Sequence, residues 1–553
     1  MRPPPIARLT PVARMDAGGW QPPPAACLTR LRAWTLAACG LLQQAAHVDL
    51  GAGGLLRPHA WTPVGGGLLQ PCVWTPGGRR LTRSCAFPAA GPDLWQCFNA
   101  SSSRGGPRSA VTRRCLLLLR RAWICSSGVT NDRLPVVHRL SQCWPPNGAD
   151  KGSNPSPSDV YHQDVSRIRS LFAGRTAAGP ADVLAPAPAP SAGGVTLPTN
   201  GTPVAQAPGV QDYTVLVGYG TPAQTFPMGL ETSFGLSLLR CKPCAAGSSS
   251  CDPAFDTTKS STFTRVPCGS PNCRSSNCSS PSSVCPLPFS ELRGEVVQDV
   301  LTLTPSSAGA VHDFTFGCVA VNQPSTRPVV GVLDLSRDSR SVPSRLATPG
   351  TPAFSYCLPL ARGSSHGFLS IGANPPNYGG SDVQHAPLVI NPDFPNMYFI
   401  DLVGISLGGK DIPIPPYVNT ANTTAIDVVA KFTHLNPAVY LPLRDAFRED
   451  MKEYPTAPPF HGLDTCYNFT GLNEFTIPLV RFKFGNGESF LVFGDQMLYY
   501  EDPTVGPFSV ACLAFTAFPG EEQYNVIGSL AQTTTEVVYD VSGGKVGFIP
   551  FSC

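Results

Sequence analysis

Lysine and glutamate are absent from the first part of this sequence. Residues 1–150 contain seventeen arginines and five aspartates but neither of those two residue types, and they hold all seven tryptophans of the chain. From residue 212 onward the chain carries 19 basic and 29 acidic residues instead. The formal net charge of +3 is therefore an average over two unlike regions, and it predicts no nucleic-acid partner.

Long hydrophobic runs are also scarce. Segment 37–46 is short and interrupted by glutamine, and the four leucines at 116–119 run directly into two arginines. A membrane-spanning helix needs about 20 apolar residues, so we expect no membrane span, and no signal peptide follows Met1. Residues 1–128 show no helical or strand periodicity, and we interpret them as disordered or as a gene-model extension. A basic arm that binds an acidic partner is the alternative.

The residue pattern changes after position 128. An apolar stretch begins at Leu134, and an amphipathic run from residue 156 extends through Ile168 and Phe172, which is consistent with a helix. Residues 173–210 contain Ala-Pro repeats that are typical of a linker. We therefore assign residues 129–211 to a separate segment and linker.

Residues 212–553 are too long for one ordinary core and fit two β lobes, which we place at 212–356 and 357–553. Short apolar and β-branched runs recur between turn signals at 296–303, 312–319, 367–371, 397–407, 488–493, 509–515, 536–539 and 545–549. Within this region only 436–454 has convincing helical spacing. The sequence therefore predicts an all-β fold.

Twelve of the twenty cysteines follow residue 240, at positions 241, 244, 251, 268, 273, 278, 285, 318, 357, 466, 512 and 553. An even number in loops rich in serine and proline indicates disulfides formed in an oxidising compartment. Zinc is the alternative, because Cys241 and Cys244 have ligand spacing, but a zinc ribbon needs a second such pair about fifteen to twenty residues further on. Glycosylation acceptors at Asn200, Asn277, Asn422 and Asn468 agree with secretion.

Two acidic residues follow apolar strands. Stretch 213–244 predicts a strand, a Gly-Thr-Pro turn and a second strand ending at Leu230, after which Glu231 begins a short polar loop. Later in the chain, Asp427 follows the apolar run Thr-Ala-Ile. Such loops can present an acid to a cleft, although a lone acid beside a strand is more often hydrogen-bonded structurally or solvated.

The stretch 213–244 resembles the first catalytic loop of pepsin-like aspartic endopeptidases of the plant nepenthesin type, where Asp-Thr-Gly-Ser is followed by Cys-Lys-Pro-Cys. Here Glu231, Ser233 and Phe234 replace the Asp, Gly and Ser. Asp427 matches the second catalytic acid, but Val-Val-Ala follows it. Further similarities to the family occur at 313–318, 354–357, 525–529, 537–540, 546–548 and Cys553.

The resemblance implies a bilobal protein with a cleft between its β lobes, a pro-segment within 129–211 and a twelve-cysteine set. The sequence contains no Gly-rich phosphate loop, and we expect no cofactor. The resemblance also implies a secreted or vacuolar monomer that takes a peptide or protein as substrate or ligand. The implied catalytic residues are Glu231 and Asp427. In this chemistry two close carboxylates share one proton, so that one polarises the scissile carbonyl while the other takes a proton from water at acid pH.

Several parts of that mechanism are altered. Glu231 has one extra methylene, which displaces its carboxyl group by about 1 Å and can cost on the order of 10²-fold in rate. The family's flap tyrosine belongs between residues 285 and 296, but no tyrosine occurs anywhere from 221 to 354. The family's Gly-Leu-Gly-Arg run is altered at 333–337. Two hypotheses follow: an endopeptidase with weak or lost activity, or a non-catalytic relative that binds a peptide or another secreted enzyme, as related plant xylanase inhibitors do.

Overall fold

A computed structural model of the chain describes residues 12–16, 133–138, 157–172, 212–243, 253–289, 292–303, 310–320, 330–346, 353–360, 367–373, 375, 378–418, 420, 422–460, 462–501, 507–520 and 524–553. The remaining positions lie outside the described residues, and they include the predicted linker at 173–210, Cys244, Cys251 and Asn200. Among the described helices, none is long and apolar enough to cross a membrane.

The protein is built mainly from strands. Those of the first part are β1 (Val12–Asp16), β2 (Arg133–His138), β3 (Tyr213–Tyr219), β4 (Gln224–Glu231), β5 (Leu238–Lys242), β6 (Phe255–Asp256), β7 (Thr264–Arg265), β8 (Gly294–Thr302), β9 (Ala310–Ala320), β10 (Gly331–Asp334) and β11 (Phe354–Cys357). Those of the second part are β12 (Gly367–Ile371), β13 (Gln384–Val389), β14 (Phe399–Ile400), β15 (Leu402–Leu407), β16 (Lys410–Asp411), β17 (Thr424–Ile426), β18 (Thr433–Leu435), β19 (Thr456–Ala457), β20 (Cys466–Asn468), β21 (Glu474–Pro478), β22 (Val480–Phe484), β23 (Ser489–Val492), β24 (Leu498–Tyr500), β25 (Val510–Leu513), β26 (Phe515–Ala517), β27 (Asn525–Ile527), β28 (Glu536–Asp540) and β29 (Lys545–Ile549).

The described residues form the helices α1 (Pro157–Phe172), α2 (Val342–Leu346), α3 (Pro437–Asp450) and α4 (Gly494–Met497), with 3₁₀ turns at Thr257–Lys259 and Leu530–Gln532. The helix α3 begins where the side chain of Asn436 accepts a hydrogen bond from the Ala438 N–H at 2.8 Å, and a proline occupies its first turn. Its buried face contains Val439, Leu443 and Phe447. The helical spacing read from the sequence is confirmed, with the helix ending at Asp450.

The strands form an all-β protein of two lobes with a cleft between them, as the sequence predicts. The two halves repeat one local arrangement. Strand β4 pairs in parallel with β10, and β17 pairs in parallel with β27. Strand β2 joins the two halves, because it pairs antiparallel with β3 on one side and with β12 on the other. Residues 133–138, which precede position 212, are therefore part of the sheet.

The core is aromatic and aliphatic. Its largest cluster draws on both halves and includes fully buried Tyr219, Phe316, Phe354 and Tyr539. A smaller cluster contains Ile168 and Phe172 of α1 together with residues of the second half. The helix α1 is therefore packed into the hydrophobic interior, not attached at its surface.

Five disulfides lie among the described residues: Cys241–Cys318, Cys268–Cys278, Cys273–Cys285, Cys357–Cys553 and Cys466–Cys512. The sulfur atoms of Cys268, Cys273 and Cys278 lie within 4.8 Å of one another, the spacing of a metal cluster, yet all three are engaged in disulfides. Cys241 of the predicted zinc-like pair is bonded to Cys318.

Candidate active site

Glu231 is the last residue of β4, at the point where that strand leaves the sheet. It lies in parallel register with Asp334, the last residue of β10. Its carbonyl oxygen accepts a hydrogen bond from the Leu335 N–H at 2.6 Å. The loop that follows turns at Gly235, whose φ of 81° lies in the left-handed region that glycine tolerates best. The backbone thus holds the first acid at the end of two paired strands.

Asp427 occupies the equivalent place in the second half, directly after β17. Its N–H donates to the Ile527 carbonyl at 3.1 Å. Its Oδ1 accepts from the N–H groups of Val429 and Ala430, at 3.0 and 2.5 Å. The apolar residues after Asp427 therefore remove side-chain hydroxyls from this loop but keep the backbone donors that hold the carboxylate.

The two acids are brought together by a third residue that the sequence did not single out. The guanidinium of Arg167, on α1, donates from Nε and Nη2 to the two carboxylate oxygens of Asp427, at 2.9 and 2.6 Å. It also donates from Nη1 and Nη2 to the two carboxylate oxygens of Glu231, at 2.9 and 2.8 Å. One guanidinium therefore makes a two-pronged contact with each carboxylate.

This ion cluster is removed from solvent. The Arg167 side chain is 4% exposed, that of Glu231 is 0% and that of Asp427 is 1%. Burial alone would lower the pKa of Arg167, but the charges of Asp427 and Glu231 outweigh it and raise that pKa above its ordinary value. The arginine is consequently a fixed cation between the two acids.

The first loop supplies additional contacts. The Ser233 hydroxyl donates to Glu231 Oε1 at 2.6 Å, and the Ser233 N–H donates to the same oxygen at 3.0 Å. The same hydroxyl oxygen accepts from Arg167 Nη2 at 3.2 Å. The guanidinium carbon of Arg167 lies 5.6 Å from the ring centre of Phe234, within cation–π range.

A third carboxyl group lies beside the pair. Asp334 is fully buried, and its Oδ1 accepts from the N–H groups of Gly235 and Ser336, each at 3.2 Å. Burial, followed by the charge of Glu231, raises the pKa of Asp334 to about 7. In the second half the same position, next to Asp427, is Gly528. The alteration of the Gly-Leu-Gly-Arg run at 333–337 was the sequence signal for this extra acid.

One hydrogen bond expected between the two loops is missing. In the family the sequence resembles, each threonine after a catalytic acid ties its loop to the other, and here Thr232 keeps its hydroxyl while Val428 has none. The Thr232 Oγ1 is buried and finds no hydrogen-bond partner among the described residues. The replacement at position 428 thus leaves a polar atom of the first loop unsatisfied.

The region expected to form a flap contributes a phenylalanine and no tyrosine. Phe289 lies 6.1 Å from Phe234, ring centre to ring centre, and Phe234 in turn faces Arg167. Residues 290 and 291 lie outside the described residues. Within the segment where the flap tyrosine is expected, Phe289 packs against the substituted first loop.

The helix α1 is held at its middle and at its C-terminal end as well as by Arg167. The carboxylate of Asp164 accepts from the backbone N–H groups of Lys431 and Phe432, at 2.9 and 2.6 Å. One turn beyond Arg167, Phe172 packs against an aromatic group consisting of Phe394, Phe518 and Tyr524, with ring centres 4.5 to 5.4 Å away. The helix therefore lies across the two acids and excludes other molecules from them.

Comparisons with known proteins agree with this architecture. Residues 213–373 match the family model described as xylanase inhibitor N-terminal, and residues 397–550 match the one described as xylanase inhibitor C-terminal. The chain is 30% identical over 435 residues to aspartyl protease AED1 of Arabidopsis thaliana, covering 77% of this chain and 87% of that protein. It is 27% identical over 371 residues to aspartic proteinase nepenthesin-2 of Nepenthes gracilis, covering 64% of this chain and 80% of that protein.

Among solved structures, similar folds occur in basic 7S globulin from soybean and in conglutin gamma from lupine seeds. The soybean protein is 20% identical with a TM-score of 0.48, and the match covers 61% of this chain and 93% of that one. The lupine protein is 19% identical with a TM-score of 0.47, and the match covers 61% and 91%.

Proposed function

Since the chain belongs to the plant pepsin-like aspartic protease family, we propose that Glu231 and Asp427 are its two-carboxylate site and that peptide-bond hydrolysis at this site is weak or lost. The observation that carries the proposal is the position of Arg167, which donates to both carboxylates. Hydrolysis needs a water between the two acids and one proton shared by them. The buried guanidinium of Arg167 takes the space of that water and occupies the carboxylate oxygens that would bind it.

Withdrawal of α1 would free the site but would not restore the family's geometry. The neutral acid must polarise the peptide carbonyl while the ionised acid accepts a proton from water. The carboxyl group of Glu231 lies about 1 Å further from the backbone than that of an aspartate. A displacement of this size can lower the rate on the order of 10²-fold. The loop connection through position 428 is also missing, because Val428 offers no partner to Thr232.

A cleavage assay with a helix-release variant tests this proposal. In the full chain, Asp164→Ala, Arg167→Met and Phe172→Ala together remove the three anchors of α1, and this combination is the helix-release variant. We expect no cleavage of a mixed peptide pool between pH 3 and 6 above an Asp427→Ala control in the same background. Cleavage that disappears in that control would refute the proposed loss of activity.

A repaired site provides the matched positive control. In the helix-release background, the family's residues are restored by Glu231→Asp, Ser233→Gly, Phe234→Ser, Val428→Thr, Val429→Gly and Ala430→Thr. We expect cleavage to appear at acid pH, because the fold and the position of Asp427 are retained. An inactive but folded repaired chain would show that the loss of activity has another cause, such as the absent flap tyrosine.

A non-catalytic binding role is the second candidate, favoured by the descriptions of both matching family models as regions of a xylanase inhibitor. In this case the cleft or an outer surface would hold a peptide or another secreted enzyme. Adding the purified chain to a plant-cell-wall xylanase and measuring its rate tests the enzyme-binding form. Unchanged xylanase kinetics at a tenfold molar excess of the chain would count against it.

We also propose that the protein is a secreted or vacuolar monomer and a glycoprotein. The disulfides are typical of an oxidising compartment. The acceptor residues Asn277, Asn422 and Asn468 are exposed and open to glycosylation. Digestion with an N-glycosidase after expression in plant cells should lower the apparent mass, and an unchanged mass would contradict the glycosylation.

A further inference from the structure

The residues that depart from the family's first loop have one property in common. Glu231, Ser233 and Phe234 stand where the family has Asp, Gly and Ser, and all three contact the guanidinium of Arg167. A loop that had merely lost its function would not be expected to place every altered side chain on the same group. The substitutions are better explained by selection for binding that group.

The geometry is specific for a guanidinium. Nε and Nη2 of Arg167 face the two oxygens of Asp427, while Nη1 and Nη2 face the two oxygens of Glu231. Only the planar arrangement of five N–H donors in arginine matches two carboxylates in this way. A lysine ammonium is a compact point charge and cannot make both contacts.

Each altered side chain adds to this selectivity. The extra methylene of Glu231 extends its carboxylate toward the helix, so that both oxygens reach nitrogen atoms of the guanidinium. Ser233 fixes the orientation of that carboxylate through its hydroxyl and its N–H. Phe234 offers a ring face to the planar cation, as arginine prefers. Phe289 packs against the Phe234 ring.

We propose that the first loop and Asp427 together form a receptor for a guanidinium group. Arg167 fills this receptor in the present conformation, and an arginine side chain of another peptide fills it when α1 leaves the cleft. This deepens the proposed function and rests on it, because a cleft that binds a peptide without cleaving it can serve as a receptor. The ligand class is an arginine-containing peptide, and the bond to it is non-covalent.

The chemistry of the receptor can be tested by refilling it. Arg167→Met in the full chain leaves the two carboxylates without their cation. We expect 10 mM ethylguanidinium to raise the melting temperature of this variant by about 3 °C relative to 10 mM ethylammonium. The wild-type chain, whose site is filled, should show no such difference. Equal effects of the two cations on the variant would overturn the proposal.

Two further variants keep the test decisive. Glu231→Asp in the Arg167→Met background should abolish the preference for ethylguanidinium, because the shorter carboxylate no longer reaches both nitrogen atoms. Arg167→Lys preserves a cation at the site and gives a folded chain if Arg167→Met does not. It should melt several degrees below the wild type, and a lysine variant as stable as the wild type would contradict guanidinium specificity.

A peptide titration then distinguishes an external arginine from the chain's own. The helix-release variant is titrated by calorimetry with acetyl-Ala-Ala-Arg-Ala-Ala-amide and with the same peptide containing citrulline, a neutral isostere of arginine. We expect at least tenfold tighter binding of the arginine peptide. Equal affinities would overturn the binding of an external peptide even if ethylguanidinium refills the site.

The same titration separates the proposed loss of hydrolysis from the proposed guanidinium receptor. Mass spectrometry of the peptide after the titration shows whether it is intact. An intact, tightly bound arginine peptide supports both the receptor and the loss of hydrolysis. Cleavage of the peptide would refute the proposed function, whereas an intact peptide without arginine preference would refute only the receptor.

Discussion

Asp334 adds a buried acid to a site that already contains two. Its pKa of about 7 arises from burial first and from the neighbouring charge of Glu231 second. A carboxyl group whose folded pKa lies above its ordinary value stabilises the fold in its protonated form. That contribution is complete below the ordinary pKa of 3.8 and is lost as the pH rises toward and past 7.

We therefore predict that Asp334→Asn flattens the dependence of stability on pH. Asparagine is neutral and nearly isosteric, so it keeps the acceptor for the Gly235 and Ser336 N–H groups without the cost of a buried charge. Between pH 4 and 8 the unfolding free energy of the wild type should fall by a few kcal/mol more than that of the variant. Urea unfolding across this range measures both slopes.

The control for this prediction is Asp382→Asn, since Asp382 is exposed and distant in sequence from the site. It should leave the slope of the wild type unchanged. Identical slopes for the wild type and Asp334→Asn would show that Asp334 does not titrate between its ordinary pKa and neutrality in the folded chain.

The unpartnered hydroxyl of Thr232 leads to a second prediction at the residue scale. A buried polar group without a partner costs about 1–3 kcal/mol, and an apolar group of the same shape removes that cost. Thr232→Val should consequently raise the free energy of unfolding by about 1 kcal/mol. Val428→Thr, which supplies the missing hydroxyl, should also stabilise the chain.

Chemical unfolding of the single and double variants distinguishes removal of the Thr232 hydroxyl from the supply of a partner at position 428. The combination of Thr232→Val with Val428→Thr should lose the gain, since it moves the unpaired hydroxyl from one loop to the other. If Thr232→Val destabilised the protein by 1 kcal/mol or more, the hydroxyl would have a partner that the structure does not describe.

At the scale of elements, α1 is held against the rest of the protein by side chains along its length. Its Asp164 accepts two backbone N–H groups next to β18, its Arg167 joins the acids, and its Phe172 enters an aromatic group. Removing the Asp164 carboxylate leaves the N–H groups of Lys431 and Phe432 without their acceptor, which lowers the docking free energy of α1 by about 1–3 kcal/mol. The change therefore destabilises the docked position of the helix and not the fold of the lobes.

We predict that Asp164→Ala makes α1 more accessible to proteases under native conditions. Weakening of the docking free energy by about 1–3 kcal/mol should raise the rate of cleavage within 157–172 roughly 5- to 150-fold, because cleavage follows the population of the undocked form. Limited proteolysis with mass spectrometry locates the cut. Ser170→Ala, on the exposed side of the same helix, should be cleaved like the wild type.

Equal cleavage rates in Asp164→Ala and Ser170→Ala would contradict the anchoring role of Asp164. Accelerated cleavage confined to the lobes would point instead to general destabilisation. Either result can be read from the masses of the fragments.

The sequence predicted elements best where one local pattern decides them. The strand at 367–371 was predicted with the bounds that the structure gives to β12. The run 397–407 was predicted as one strand, but it forms two, since β14 pairs with β13 and β17 while β15 pairs with β16 and β22. A change of partner sheet at Asp401 leaves no trace in the alternation of side chains.

The site was predictable only in part for the same physical reason. Glu231 and Asp427 each follow an apolar strand, so a local motif reveals them. The bond from Arg167 to Asp427 spans 260 positions, and an arginine on an amphipathic helix is ordinarily a solvated surface residue. Asp334 was visible as an acid at an expected glycine, but its closeness to Glu231 depends on the parallel pairing of β4 and β10.

At the scale of the whole molecule, the chain's end is tied back to the start of its second half. Cys553, four residues after the end of β29, is bonded to Cys357 of β11, across a separation of 196 residues. Cys268–Cys278 closes a separation of only 10 residues. In the chain-entropy account a disulfide stabilises by restricting the unfolded chain, and it does so more for a longer loop.

We predict that removing the long disulfide costs more than removing the short one. The loop-entropy relation gives about 5 kcal/mol for the Cys357–Cys553 loop and about 3 kcal/mol for the Cys268–Cys278 loop. The pairs Cys357→Ser/Cys553→Ser and Cys268→Ser/Cys278→Ser should therefore differ by about 2.5 kcal/mol in unfolding free energy, measured by urea unfolding at one pH. A smaller loss for the long disulfide would show that the unfolded chain is already compact across the second half, since residual structure there would reduce the entropy that this bond removes.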